Sequence, residues 1–151
     1  MKKTLEIKKK LYKACLFFVK EKHHTVTSII ESNKKALFSE TKSSAGDKHE
    51  TGRAMLQLEM EKASQQLVAI SQMKAVLNRI TFNNSSNIIH LGSLIITDKG
   101  NYYLGISAGK ITINSTDYFA ISASSPIGKQ LISKKVGNVI AFNQAKILQL
   151  I

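Results

Sequence analysis

The chain has 151 residues, a formal charge of +12, 43% hydrophobic residues and one cysteine. That length fits one domain or two small ones, and the apolar share is too high for a wholly disordered chain. A single Cys excludes an internal disulfide, and no run reaches the eighteen or so apolar residues of a membrane span.

The opening MKKTLEIKKK has the charge of a signal-peptide n-region. The following LYKACLFFVK is broken by lysine and leads to no small-residue cleavage site. The expectation is therefore a cytoplasmic protein with no membrane partner and no small-molecule substrate. From Leu5 to Leu37 apolar residues recur at three and four, and Leu11, Cys15, Phe18, Val26, Ile29 and Leu37 can share one helical stripe. Cys15 on that stripe reads as a packing residue. Residues 1–50 carry twelve Lys against six acids, which asks for a polyanionic neighbour or simply a solvated face.

After KSSAGDKHETGRAM the helical pattern resumes with Leu56, Met60, Ala63, Leu67, Ile70, Leu77 and Ile80, close to a heptad seam. Neither segment contains proline. The spacing predicts an antiparallel helical hairpin, a coiled coil over residues 1–80, with its tip at about 39–50. Asp47 and Glu50 stand at that tip. Two readings of the pair are open. Asp-x-x-Glu before a helix is a capping box, with Asp47 at the N-cap and Glu50 at N3. Two carboxylates at a tip are also oxygen donors for a divalent cation.

Residues 81–87, TFNNSSN, form a polar linker. Over 88–151 the period falls toward two in IIHLGSLIIT, NYYLGIS, KITI, YFAIS, NVIAF and AKILQLI, with DKGN, SAGK and NSTD as turns. This predicts six short strands in a small antiparallel sheet, so the fold class is α+β. One helical segment interrupts the strands at SSPIGKQLISKKVG, with Ser125 as N-cap, Pro126 at the first helical position and Gly137 as its end.

Other chemistry is sparse. The adjacent His23 and His24 point to different helix faces and make no shared metal site, His49 is a tip residue, and His90 reads as a surface position on a strand. LGISAGK lacks phosphate-loop spacing, Tyr102, Tyr103, Tyr118 and Phe119 read as packing, and no nucleophile–base arrangement is present.

Two stretches carry a resemblance. SPIGKQLISKKVGNVIAF, residues 125–142, is similar to the most recognisable segment of the Gre transcript-cleavage and elongation factors, with Ser133 where the family has Gly and Asn138 where it has Asp. GDKHE resembles the family's tip motif Gly-Asp-x-x-Glu, which places Asp47 and Glu50 at the positions of its functional acids. The family's tip continues Asn-Ala-Glu-Tyr, whereas this chain continues Thr51, Gly52, Arg53 and Ala54.

The resemblance implies an FKBP-like C-terminal domain and an RNA polymerase partner. The family's domain docks at the channel rim, here through Ser125, Pro126, Ile127, Gly128 and Lys129, and its hairpin enters the secondary channel. It further implies that Asp47 and Glu50 complete a weakly held Mg²⁺ at the polymerase active site, so that backtracked RNA in the elongation complex is cleaved. The chain would then need no cofactor of its own and would not itself be an enzyme. Arg53 is the RNA-contact candidate by proximity. Three alternatives stand beside this reading: a secondary-channel regulator without cleavage stimulation, a basic nucleic-acid-binding protein, and a prolyl isomerase carrying a helical arm.

Overall fold

A computed structural model describes residues 2–42, 46–82 and 86–151; side chains at positions 2 and 40–50 lie outside that description. The protein is a long N-terminal helical hairpin followed by a six-stranded, mostly antiparallel sheet with one short helix. Helix α1 is Lys2–Lys42 and α2 is Gly46–Asn78. No glycine or proline interrupts α1, so nothing in its backbone favours an earlier stop. Helix α1 extends to Lys42 and α2 starts at Gly46, so both helices run into the stretch expected as the tip, 39–50, of which residues 43–45 lie outside the described residues.

By contacts the chain forms two compact units. Met1–Phe18 belongs with Lys74–Ile151, and Val19–Met73 forms the other.

In the second unit the buried positions are Val19, Val26 and Asn33 on α1, facing Ala63 and Ile70 on α2. The spacing is seven on both helices, as a coiled-coil seam requires. This corrects the α1 stripe. Phe18 is only half-buried and Ile29 is 40% exposed, while Val19 takes the inward place. A step of four from Cys15, rather than three, brings Val19 onto the seam and holds the sevenfold repeat through Val26. The α2 stripe keeps its expected phase, with Ala63 and Ile70 buried and Leu56, Met60 and Leu67 half-buried.

In the first unit the strands are β1 Leu94–Thr97, β2 Gly100–Gly105, β3 Gly109–Ile113, β4 Thr116–Ser122, β5 Val139–Ile140 and β6 Ala145–Leu150, in sheet order β3-β4-β2-β1-β6-β5. Helix α3, Pro126–Leu131, follows β4. Two-residue turns close the hairpins. Asn114 and Ser115 have φ of 51° and 66°, as a type I′ turn needs, and link Ile113 to Thr116. Asp98 and Lys99 link Thr97 to Gly100, braced by Thr97 Oγ1 donating to the Gly100 carbonyl at 2.6 Å.

One pairing departs from the antiparallel expectation: β2 and β4 run parallel, Tyr103 opposite Ala120. The chain leaves β2, crosses over through β3, and β4 then folds back into the gap between β3 and β2.

The sheet is covered on both faces. On one, Ile95, Tyr102, Leu104, Ala145 and Ile147 pack with Ile127 and Leu131 of α3. On the other, Tyr103 is fully buried near Cys15 and Tyr12 of α1. Ile80, just past α2, seats against the sheet where Gly92 and Gly105 leave room: a Cβ at Gly92 would stand 2.8 Å from its Cγ2. Burying both faces of such a small sheet contributes about 25 cal/mol per Å² of apolar surface removed from water.

Two further expectations change. Residues 88–93 are irregular rather than strand, because Gly92 turns the chain at φ 91° and its N–H bonds to the Leu104 carbonyl at 2.7 Å. His90 therefore sits outside the strands, its Nδ1 2.9 Å from the Leu91 carbonyl oxygen. Helix α3 stops at Leu131, well before Gly137, since Ile132 already has extended backbone at ψ 137°.

Candidate functional site

The first candidate site is the start of α2. Because α2 begins at Gly46, Asp47 lies inside its first turn rather than at an N-cap before it, and Glu50 opens the second turn, near the end where a helix dipole favours negative charge. Their side chains, and that of His49, lie outside the described residues. Arg53, one turn further along, is exposed. Among the described residues no group of three His, Cys, Asp or Glu side chains could hold a metal.

The second is the segment Ser125–Asn138, which can be built from its residues upward. Ser125 is the N-cap of α3: its backbone is extended at φ −68°, ψ 157°, and its Oγ accepts from the Gly128 N–H at 3.1 Å. The same hydroxyl donates to the Ser122 carbonyl at 2.6 Å, so one side chain closes the β4–α3 corner from both sides. Pro126 at the first helical position presets φ and removes a donor that would have no partner there. Gly128 is required by close approach. A Cβ on it would lie within bonding range of the Ser122 carbonyl oxygen, with the Ser125 hydroxyl 2.9 Å away.

Beyond the helix, Ser133 sits in the left-handed region at φ 68°. That is the conformation glycine adopts without strain, which is why Gly suits this position. Asn138 Oδ1 accepts from the Lys135 N–H at 3.0 Å. A side-chain carbonyl makes that turn as well as a carboxylate does, so Asn substitutes for Asp without losing the bond.

Of the five residues expected to face a partner, Ile127 and Gly128 are buried. Pro126 and Lys129 are exposed and Ser125 is half-buried. The surface that this corner offers is thus Ser124, Pro126 and Lys129, held by the two buried residues. Tyr102, Tyr103 and Tyr118 are all buried in the sheet unit. They fill its interior rather than line an open aromatic pocket of the kind prolyl isomerisation needs.

Several buried polar groups were not legible as such in the sequence. Asn33 is 7% exposed, and its Nδ2 has no acceptor among the described residues. Lys8 is 3% exposed, and burial lowers its pKa from the usual amine value. Burial pushes the Cys15 thiol up to about 12, which makes it inert as a nucleophile near neutral pH. Burial also raises the Tyr103 phenol, with Cys15 and Tyr12 adding to the effect, and its hydroxyl has no partner among the described residues. Polar residues on an apolar stripe are the only sequence signal for this set.

No helix among the described residues is long and apolar enough to cross a membrane. No protein-family model matches the chain, and no curated protein does. Among solved structures, that of the transcription factor Gfh1 is similar at 14% identity and a TM-score of 0.32, with 90% of this chain and 88% of that chain covered.

Proposed function

We propose that this protein is a Gre-like elongation factor. In this reading it binds RNA polymerase through the exposed rim of the β4–α3 corner, places its helical hairpin in the secondary channel and stimulates cleavage of backtracked RNA. The observation that carries the reading is the Ser125–Asn138 segment. There the residues shared with the Gre motif (Ser125, Pro126, Gly128) and the two substituted ones (Ser133, Asn138) each occupy a conformation that the motif's residue types suit. The order of elements, a hairpin carrying an acidic pair at the start of its second helix and then a sheet domain, supports it further.

In this reading Asp47 and Glu50 are the tip acids. Carboxylates are the hard oxygen donors that Mg²⁺ takes, and two of them fill only part of an octahedral shell. The ion is therefore one that the polymerase shares, and when bound it stabilises the charge that develops on the oxygens of the hydrolysed phosphodiester. The chain's own task is to position the two carboxylates, with Arg53 as the adjacent cation toward RNA. Ser125 fixes the corner that presents Pro126 and Lys129 to the polymerase rim.

The test is transcript cleavage in stalled elongation complexes, read alongside co-purification of the chain with RNA polymerase. Asp47→Asn and Glu50→Gln should each lower stimulated cleavage by at least tenfold while binding persists, and Lys129→Glu should weaken binding. Unchanged cleavage in both acid variants would overturn the metal role and leave the pair as acids that complement the start of α2. Binding by the wild type without any cleavage would identify a channel regulator instead, the outcome that the departure at Thr51–Ala54 would explain.

A further inference from the structure

Helix α1 has a second face that the hairpin does not use. Leu11, Cys15 and Val19 point inward and are 0–2% exposed. On the opposite side Lys9, Lys10, Lys13, Leu16 and Phe17 fall within about a third of the helix circumference at 3.6 residues per turn. All five are exposed, Phe17 at 64%. No acid occurs between Glu6 and Glu21, and no side chain of the three lysines makes an ion pair or hydrogen bond among the described residues. A phenylalanine this open exposes most of its ring to water. Three unpaired lysines beside it form a cationic stripe around that ring.

We infer that this face of α1 binds single-stranded nucleic acid, with Lys9, Lys10 and Lys13 on successive phosphates and the Phe17 ring stacked on an unpaired base. Cations interleaved with an exposed aromatic are the two elements of sequence-tolerant single-strand binding. Charge complementarity selects the polyanion, and the ring selects a strand with open bases over a duplex, whose bases are already stacked. An anionic lipid surface fits less well. Insertion needs a continuous apolar face, and the apolar face of α1 is turned into the protein.

The experiment uses the full chain without polymerase, so its failure leaves the proposed polymerase role standing. The probes are fluorescently labelled oligo-uridine, oligo-deoxythymidine, a duplex and phosphatidylserine vesicles, titrated between roughly 50 and 200 mM salt. Wild type should bind both single strands with falling affinity as salt rises. Changing Lys9, Lys10 and Lys13 together to Gln should reduce the log–log salt slope by about two, at about 0.7 per phosphate contact. Phe17→Ala should weaken single-strand binding on the order of tenfold with the slope unchanged and duplex binding unaffected. A charge-matched variant, Lys110, Lys134 and Lys135 to Gln, should leave the slope as it was.

The inference is overturned if wild type binds no oligonucleotide or if the Lys9–Lys13 variant keeps the full slope. It is equally overturned if the charge-matched variant loses as much, if Phe17→Ala changes nothing, or if only vesicles are bound. All the altered side chains are exposed, so unchanged circular dichroism is expected of every variant.

Discussion

At the scale of single residues, the C-terminal segment shows how much of a motif is backbone requirement. Ser125 and Pro126 were legible because capping chemistry is local: a hydroxyl before a proline at a helix start has one well-populated geometry. Gly128 was not, because its need arises from the Ser122 carbonyl on a preceding strand, which no local pattern reports. Ser133 is the informative departure. Holding a side chain at φ 68° costs ~1–2 kcal/mol, and glycine would give back part of that through the greater entropy of the unfolded chain. Ser133→Gly should therefore stabilise the fold by about 0.5–1 kcal/mol, raising the thermal midpoint by a few degrees in calorimetry. A fall in the midpoint would mean that the Ser133 hydroxyl contributes more than its backbone costs.

At the scale of elements, the hairpin seam was readable in period but not in phase. The sevenfold repeat of Ala63, Ile70 and Leu77 is visible in α2 even though Met55, Leu58 and Val68 lie exposed off the stripe. In α1, Phe18 and Val19 compete for the same inward place, and only packing against α2 decides for Val19. Asn33 holds an inward position whose amide N–H meets no acceptor among the described residues, a deficit worth ~1–3 kcal/mol. A single polar group on a seam costs stability and fixes register. Asn33→Leu, with the same branching and heavy-atom count, should shift the denaturant midpoint upward, with the gain on the order of 1–2 kcal/mol. If register depends on Asn33, spin-label distances between α1 and α2 should broaden in the same variant. The parallel β2–β4 pair was likewise beyond local reading, since alternation reports which residues face inward but not which strands are neighbours.

At the scale of the molecule, the unit that contains the sheet also contains three titratable groups that burial shifts, and their signs differ. The Cys15 thiol titrates from 9.0 in the unfolded chain and only near about 12 in the fold, so its contribution is complete below pH 9 and is lost as pH rises toward 12. Tyr103 acts the same way above its ordinary 10.0. Lys8 opposes them: the unfolded chain binds a proton that the fold disfavours, so its contribution improves as pH climbs toward 10.5. Urea unfolding followed from pH 8 to 11 should show stability falling above pH 9, each released proton adding a slope of at most ~1.4 kcal/mol per pH unit. The fall should be shallower in Cys15→Ala and steeper in Lys8→Met.

That same unit brings Met1–Phe18 together with Lys74–Ile151, and its inner strand β6 lies between β1 and β5. A ribosome delivers this chain with the amino end first. Residues 19–73 have all their partners nearby and can settle while translation continues, but the open flank of β1 waits for Ala145–Leu150 to emerge. Until those residues emerge, β1 is paired with β2 on one side and unsealed on the other. The six residues of β6 act as its closure.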